Sequence, residues 1–490
     1  MVARKIVFIV AVVISVASLC RVFCVAKDHL AAPFDLTFES PNLCTVQSIQ
    51  KGRNIYDPAM YEDLPFILTI YTPAYHYLVA SLPQNSNNRF FTGRIVAMAF
   101  MILASFCLFL PYNPQDKIIL SVLAMAGFFL IREVVSHTAF LRNDSMALFF
   151  SAAAVACAER ATNRPWQIII VSILVFLAFA SKQTFLAATT SCFIYFLIKH
   201  KKDALIYGIS CLMLFGIFAI LAHSYWGTGF WFSVFVAPRN PFIWQNFVEN
   251  WLRMLRQPFF VFFLLSITAT IVHLSCLRKW RATIDSPYLA YFLFSSLILV
   301  ITLGKEGGNV NYFFEPILAG LLWLVFFTKK HYQDARPSLV LVIAGLLAIS
   351  VALDFALARR SDYSFTTREK SVRMVARIEQ VKNDIRTLQR GDHLKTLNLA
   401  WAGFVFEIQE DPIMNDLFLY SILWNTNVLS GKPLMKHIIA QYFDVIVLRK
   451  DQYQKRKLET PYDYLIGTVL ACYELAKTGQ YCYCTPKHIS

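Results

Sequence analysis

Long apolar stretches separated by short polar connectors run through residues 1–356 of this chain. Eleven can be marked, at about 6–26, 95–112, 118–131, 145–158, 166–181, 184–198, 205–222, 258–276, 287–303, 314–328 and 338–356. A helix of about 20 apolar residues crosses a ~30 Å hydrocarbon layer. Most of the runs approach that length; 118–131 is short and is expected to borrow flanking residues or to stay away from lipid. Barrel strands would read as ~10-residue alternating segments, a pattern that does not describe these runs. The pattern therefore predicts an all-α polytopic membrane bundle of about eleven transmembrane helices.

Past residue 356 the pattern changes. REKSVRMVARIEQVKNDIRTLQRGDHL (368–394) reads as a solvated amphipathic helix leading away from the membrane. LKTLNLAW (394–401) and FDVIVL (443–448) read as strands, the second a continuous apolar run suited to a sheet buried on both faces. The division expected is a transmembrane module at 1–356, carrying an external loop at 27–92, and a small extracytoplasmic α/β domain at 357–490. No catalytic constellation stands out in the latter, and Asp444 is expected to be structural.

Composition agrees with a membrane protein. Of 490 residues 57% are hydrophobic and 16% charged. The net charge of +15 suggests nucleic acid until its distribution is considered. The basic residues gather in short connectors: Arg4/Lys5, Arg160/Arg164, Lys199/Lys201/Lys202, Arg278/Lys279/Arg281 and Lys329/Lys330/Arg336. With eleven spans these all fall on one side, which the positive-inside rule makes cytoplasmic. Basicity here sets topology, and no nucleic-acid partner is expected. The segments 27–92, 223–257 and 357–490 are then outside. Segment 6–26 has features of a signal peptide but is long and lacks a clean cleavage site, so a retained anchor is expected. Among the cysteines, external Cys44, Cys472, Cys482 and Cys484 leave disulfides open, and no zinc spacing occurs. Neither an internal repeat nor a Gly-rich phosphate loop is present, so direct use of ATP is not expected.

Polar and acidic residues sit at the ends of the apolar runs, where they more often serve substrates than scaffolding. The first loop holds Asp35, Glu39, Asp57, Glu62 and Asp63; Asp35 and Glu39, directly after the first span, are the candidate bases, whereas Glu62 and Asp63 suit solvent. YTPAYHYLVASL (71–82) reads as an interfacial helix with Tyr rings at headgroup depth, and Trp226, Trp231, Trp244 and Trp251 as a second interfacial belt or as sugar-stacking rings. Arg142 and Asp144 lie in a short loop, where Asp144 suits either an N-cap or a functional role. Lys182 breaks an apolar stretch and suits either snorkelling or a lipid phosphate; Arg89, Arg94 and Lys305 are candidates for the same anion. In GKEGGNVNYFFE (304–315), Asn309, Asn311 and Tyr312 are residue types that read sugar hydroxyls, and Glu315 suits a helix N-terminus.

This ordered set resembles the GT-C superfamily of polytopic glycosyltransferases, in the branch of protein O-mannosyltransferases and bacterial aminoarabinose transferases. The likeness spans most of 1–356. It is carried by Glu39 through Gly52, Asn54, Tyr56 and Asp57 to YTPAYHYL, and by RND (142–144), SKQT (181–184) and GKEGGNVNYFFE. It departs in one place: the family's adjacent Asp-Glu pair is here Phe38-Glu39, with Asp35 one turn earlier, so the base is either Glu39 or Asp35.

The resemblance implies inverting transfer of a sugar from a polyprenyl-phosphate donor to an extracytoplasmic glycan, lipid or protein acceptor, in contact with membrane lipids. Glu39, Asp35 and Asp144 would be catalytic. Arg142, Lys182, Lys305, Asn311, Tyr312, Glu315, Tyr56, Asp57, Tyr71 and His76 would bind substrate. No cofactor is required by the pattern, although a divalent cation is possible. A transporter or flippase for a lipid-linked or anionic sugar is the competing expectation. The motifs suggest a bacterial cytoplasmic membrane, with the N-terminus inside.

Overall fold

The computed structural model describes residues 2–36, 38–111, 118–161, 163–255, 260–275, 286–308, 310–332, 368–388, 395–400, 412–454, 460–479 and 481–487. Helices α1 (Val2–Ala31), α2 (Ser40–Gln50), α3 (Pro58–Glu62), α4 (Ala74–Ser81) and α5 (Phe91–Phe106) carry the first segment and its loop. The bundle continues with α6 (Ile118–Leu130), α7 (Arg132–His137), α8 (Asp144–Arg160), α9 (Pro165–Ser181), α10 (Ala187–Lys199) and α11 (Lys201–Trp231). It ends with α12 (Trp244–Leu255), α13 (Phe260–Ser275), α14 (Pro287–Thr302) and α15 (Phe314–Tyr332).

Each apolar run up to residue 328 coincides with one of these helices; the run at 338–356 lies outside the described residues, as do Cys276, Asn309 and the basic connectors 278–281 and 336. Only three helical stretches among the described residues are individually long and apolar enough to span, or four if α12 and α13 form one bent span, so eleven crossings are not established. The protein is nonetheless an integral membrane protein. Along α11, Leu212 (75%), Ile220 (67%) and Leu221 (61%) expose apolar surface that a bilayer, not water, accommodates. The bundle interior is rich in small residues where helices touch: Ala147, Ala152, Ala154 and Ala156 of α8 are buried in its core.

The C-terminal part adds α16 (Arg368–Arg386), β1 (Thr396–Asn398), α17 (Leu417–Asn425), α18 (Lys432–Ile439), β2 (Val445–Leu448), α19 (Lys450–Tyr453), α20 (Pro461–Cys472), β3 (Tyr473–Thr478) and β4 (Cys482–Pro486). The sheet order is β1-β2-β4-β3, with β1 parallel to β2 and the remaining pairs antiparallel. β2 is buried along its whole length, as FDVIVL suggested. Its alternating side chains enter two cores: Ile446 and Leu448 face one, Val445 and Val447 the other. Asp444 joins the start of the pair through Lys395, a structural role.

Both of those cores contain residues from the first loop. Tyr61, Phe66 and Leu68 pack with Ile446, joined by Ala237 from the segment after α11, and Ala32 and Phe34 pack with Val445. The sheet unit is therefore fused to the membrane bundle rather than tethered to it.

Several local expectations are corrected. α4 turns Tyr75, His76 and Val79 inward, so it packs against α2 instead of floating at headgroup depth. SYWGTGFW, expected in a loop, belongs to α11, which breaks only at Gly227 (φ +66°). α16 is amphipathic, but its Ile378, Val381 and Ile385 pack into the sheet's core. Cys44, Cys472, Cys482 and Cys484 are free thiols. Asp63 is solvent-exposed yet meets His437 of α18 at 2.6 Å.

Candidate active site

The chain leaves α1 through a tight turn whose polar groups are fully satisfied. The Glu39 carboxylate receives Arg94 Nε (2.9 Å) and Nη2 (2.5 Å), the Leu36 amide (3.1 Å) and the Leu141 amide (2.6 Å). Arg94 also donates to the carbonyls of His29, Ala32 and Phe34. Both side chains are wholly buried. Burial opposes the Glu39 charge, but Arg94 outweighs it and holds the carboxyl below its ordinary range. Asp35 accepts the Glu39 amide (3.0 Å) and the Ser40 amide (2.8 Å), closing the N-terminus of α2. Burial, with the Glu39 charge added, pushes Asp35 up. Neither acid borders the cavity described next, and Arg94 is fully engaged and not an anion site. Asp35 and Glu39, the expected bases, thus brace the turn between α1 and α2 and are set apart from that cavity.

The cavity, of about 570 Å³, opens where the helix ends meet the C-terminal unit. Its wall is built from short segments, each fixed by a specific tie. Asn143, not Asp144, holds the N-cap position of α8; its side chain donates to the Ser181 carbonyl (3.0 Å), joining the start of α8 to the end of α9. That tie brings Asp144, the first residue of α8, against Lys182, which follows α9: Nζ to Oδ1 is 2.5 Å. Asn311 donates to the same oxygen at 2.9 Å. Lys182 lies 5.4 Å from the Tyr71 ring centroid and 5.6 Å from that of Tyr312, within cation–π range. Burial works against its charge, and Asp144, Tyr71 and Tyr312 outweigh it, so Lys182 stays above the ordinary lysine range.

Gln183 bridges the Ile70 (2.7 Å) and Val234 (3.0 Å) carbonyls, setting the two flanking segments. The connector after α14 pairs Phe242 with Lys305, and the Ile243 amide donates to the Gly304 carbonyl (2.7 Å). Gly304 lies so close to the Phe242 ring that a Cβ would collide with it. This turn puts Lys305, Glu306 and Asn311 on the cavity, where burial lowers Lys305 from the ordinary lysine range.

Of the residues expected at a site, Tyr71, His76, Arg142, Asp144, Lys182, Lys305, Asn311 and Tyr312 line this one cavity. Glu315 borders a small satellite space beside Asp144 and Lys182 and accepts from Tyr291 at 3.1 Å. Tyr56 stands back from the cavity, donating to the Tyr71 carbonyl at 2.6 Å, and acts only through that segment. Asp57 caps α3 through the Ala59 amide (3.0 Å), away from the site. His76 is tied to Asn42 (3.0 Å), and burial brings its imidazole down to about 4, leaving it neutral near pH 7. Phe38, in the left-handed region (φ +54°), presents its ring to the cavity in the place where the resembling family carries an acid.

The sequence reading missed Arg239, Asn240, Asp416 and Phe418, which also line the cavity. The last two come from the C-terminal unit, which had seemed empty of site residues. Asn415 donates to the Leu68 carbonyl (3.0 Å) and accepts its amide (3.1 Å), holding this edge against the first loop. No motif marks such a contact; only its polar residues just ahead of the LFLYSILW helix gave a signal.

Among the described residues no group of three or more His, Cys, Asp or Glu side chains could hold a metal ion. Asp144 on the cavity wall already has an ammonium and an amide as partners, a donor set that does not fit a divalent cation.

No protein-family model and no curated protein matches the chain. Solved structures do. The chain is similar to ArnT from Cupriavidus metallidurans bound to undecaprenyl phosphate, with 11% identity, a TM-score of 0.59 and 98% of both chains covered. It is similar to the apo state of that protein at 10% identity and a TM-score of 0.57, covering 96% of this chain and 97% of the other. The Archaeoglobus fulgidus oligosaccharyltransferase, in complex with Zn and sulfate, matches at 13% identity and a TM-score of 0.50, over 97% of this chain and 73% of its own. The chain accordingly shares its fold with these proteins over nearly its whole length, in line with the resemblance that the motifs suggested.

Proposed function

We propose that the protein is an inverting glycosyltransferase that moves a sugar from a polyprenyl-phosphate donor to an extracytoplasmic acceptor. The observation that carries this reading is the Lys182–Asp144 pair. It is a buried cation at the end of two apolar helices that keeps one face on a large cavity lined by both polar and apolar side chains. Holding a charge there requires a partner, and Asp144 with Asn311 supplies one. A cation so anchored, with Arg142 and Lys305 on the same cavity, can receive a lipid phosphate arriving from the bilayer.

The roles follow from charge development. As the acceptor oxygen attacks C1, negative charge grows on the departing phosphate, and preorganised cations at that position lower the barrier. Lys182 and Arg142 take this part, and Asp144 fixes the ammonium. Asn311, Tyr312 and Tyr71 offer amide, hydroxyl and ring faces to the sugar. A Zn-type or other divalent site is not needed for any of these steps. The basic connectors support a cytoplasmic N-terminus and an extracytoplasmic cavity.

A carrier has less support. Transporters place binding groups on broken helices near mid-membrane. Here Asp144 starts α8, Lys182 follows α9 and Glu315 is near the start of α15, so the charged groups gather at helix ends. Purified protein incubated with synthetic polyprenyl phosphates bearing radiolabelled mannose, arabinose or aminoarabinose tests the proposal. Movement of label to an acceptor with release of polyprenyl phosphate is expected; translocation of intact donor in vesicles, without transfer, would favour the carrier.

A further inference from the structure

Removing a proton from the acceptor needs a carboxylate that faces the cavity, and Asp35 and Glu39 do not. Among the described residues three acids do: Asp144, Glu306 and Asp416. Asp144 has both Lys182 and Asn311 on one oxygen, which makes it a poor proton acceptor. Glu306 rides on the 303–308 turn, fixed through its backbone to Pro241 and Asn240.

Asp416 is held differently. Its Oδ1 accepts the Leu419 amide at 3.0 Å, opening α17. The neighbouring Asn415 clamps the backbone to Leu68 through both its amide groups, and the Asn415 amide reaches the Phe66 carbonyl (3.4 Å). Across the cavity mouth, the ring of Phe418 sits against Gly307, whose φ of +77° makes the turn that admits it. A half-buried carboxylate is thereby fixed on a rigid wall within the same cavity as Lys182. General bases act from such positions.

We infer that Asp416, delivered by the C-terminal unit, is the general base of transfer, so that the unit completes the catalytic site. The inference rests on the proposed glycosyltransferase reading. In the step assigned, Asp416 takes the proton of the acceptor hydroxyl and the freed oxygen pair forms the bond to sugar C1. The bond from C1 to the phosphate oxygen breaks, and polyprenyl phosphate leaves with that electron pair. Burial pushes the Asp416 carboxyl up to about 6, with the Asp35 charge adding to it, which strengthens it as a base while leaving it ionised at neutral pH.

The test uses the full chain, purified in lipid, with the three radiolabelled donors above and membranes from cells lacking the protein as acceptor. Asp416→Asn preserves an oxygen for the Leu419 amide and so should fold. It is expected to lower kcat by about 100-fold or more, the usual contribution of a base, with donor KM and undecaprenyl phosphate binding unchanged. Asp416→Glu is expected to recover part of the rate. Transfer by Asp416→Asn within twofold of the unaltered protein would overturn the assignment. So would loss of undecaprenyl phosphate binding together with transfer, or abolition by Glu306→Gln with Asp416→Asn active. Failure of the unaltered protein to bind or use any donor would instead overturn the glycosyltransferase reading, and the assignment with it.

Discussion

Two buried ion pairs, Arg94–Glu39 and Lys182–Asp144, share a contact distance of 2.5 Å and differ in everything around it. Every donor of the Arg94 guanidinium is used on Glu39 or on the carbonyls of His29, Ala32 and Phe34, and Glu39 accepts two backbone amides besides. The pair binds three stretches of chain and does not border the cavity that Lys182 lines. Lys182 instead meets one carboxylate oxygen and aromatic faces, and it borders open space. A buried charge whose valences are all satisfied is a fastener; one with a face on a cavity can work on a ligand. Exposure alone would not separate them, since both pairs are nearly buried.

The sharpest way to break this contrast is to cut the fastener. Glu39→Ala leaves the Arg94 charge buried and unpaired, for an expected loss of about 3–5 kcal/mol, read as a fall in the thermal unfolding midpoint. If Glu39→Ala unfolds like the unaltered protein but cannot transfer sugar, Glu39 is chemical after all. The converse change, Lys182→Met with Asp144→Leu, replaces a pair by apolar residues of similar size. Folding is expected to survive, because such swaps are often neutral. Transfer should fall by about 10²–10³, the effect of losing a preorganised charge stabiliser.

A third test concerns proton traffic. With its carboxyl raised to about 6, Asp416 is expected to make the transfer rate fall as pH drops below about 6, and Asp416→Glu to move that limb. The sign for stability is opposite. A carboxyl raised above its ordinary 3.8 binds protons more readily folded than unfolded, so its contribution is present at low pH and is lost as pH rises through about 6. Flat activity between pH 5 and 7 would remove Asp416 from the rate law. The smallest effect is expected at the Asp63–His437 contact. It is largely exposed, and Asp63→Asn should cost less than about 1 kcal/mol.

These contrasts also explain how far the sequence could be read. Apolar runs and the FDVIVL strand were legible because periodicity and burial are local properties of the chain. RND, SKQT and the 304–315 segment were legible because polar residues at apolar helix ends are costly without use. The split between scaffold acids and site acids was not. Glu39 becomes a fastener only through Arg94, 55 residues away, and the Leu141 amide, 102 residues away. Asp416 reaches the site only because Asn415 grips Leu68 across 347 residues. Such partners leave no trace in spacing, so the sequence could not separate an acid beside a span from one supplied by the C-terminal unit.

The central claim is that Lys182 anchors a lipid phosphate in the cavity. Binding of undecaprenyl phosphate to the purified protein, followed by native mass spectrometry, tests it directly. The unaltered chain and Asp416→Asn should bind the lipid alike, whereas Lys182→Ala should lose it while retaining a cooperative unfolding transition. Equal binding by Lys182→Ala would contradict the account.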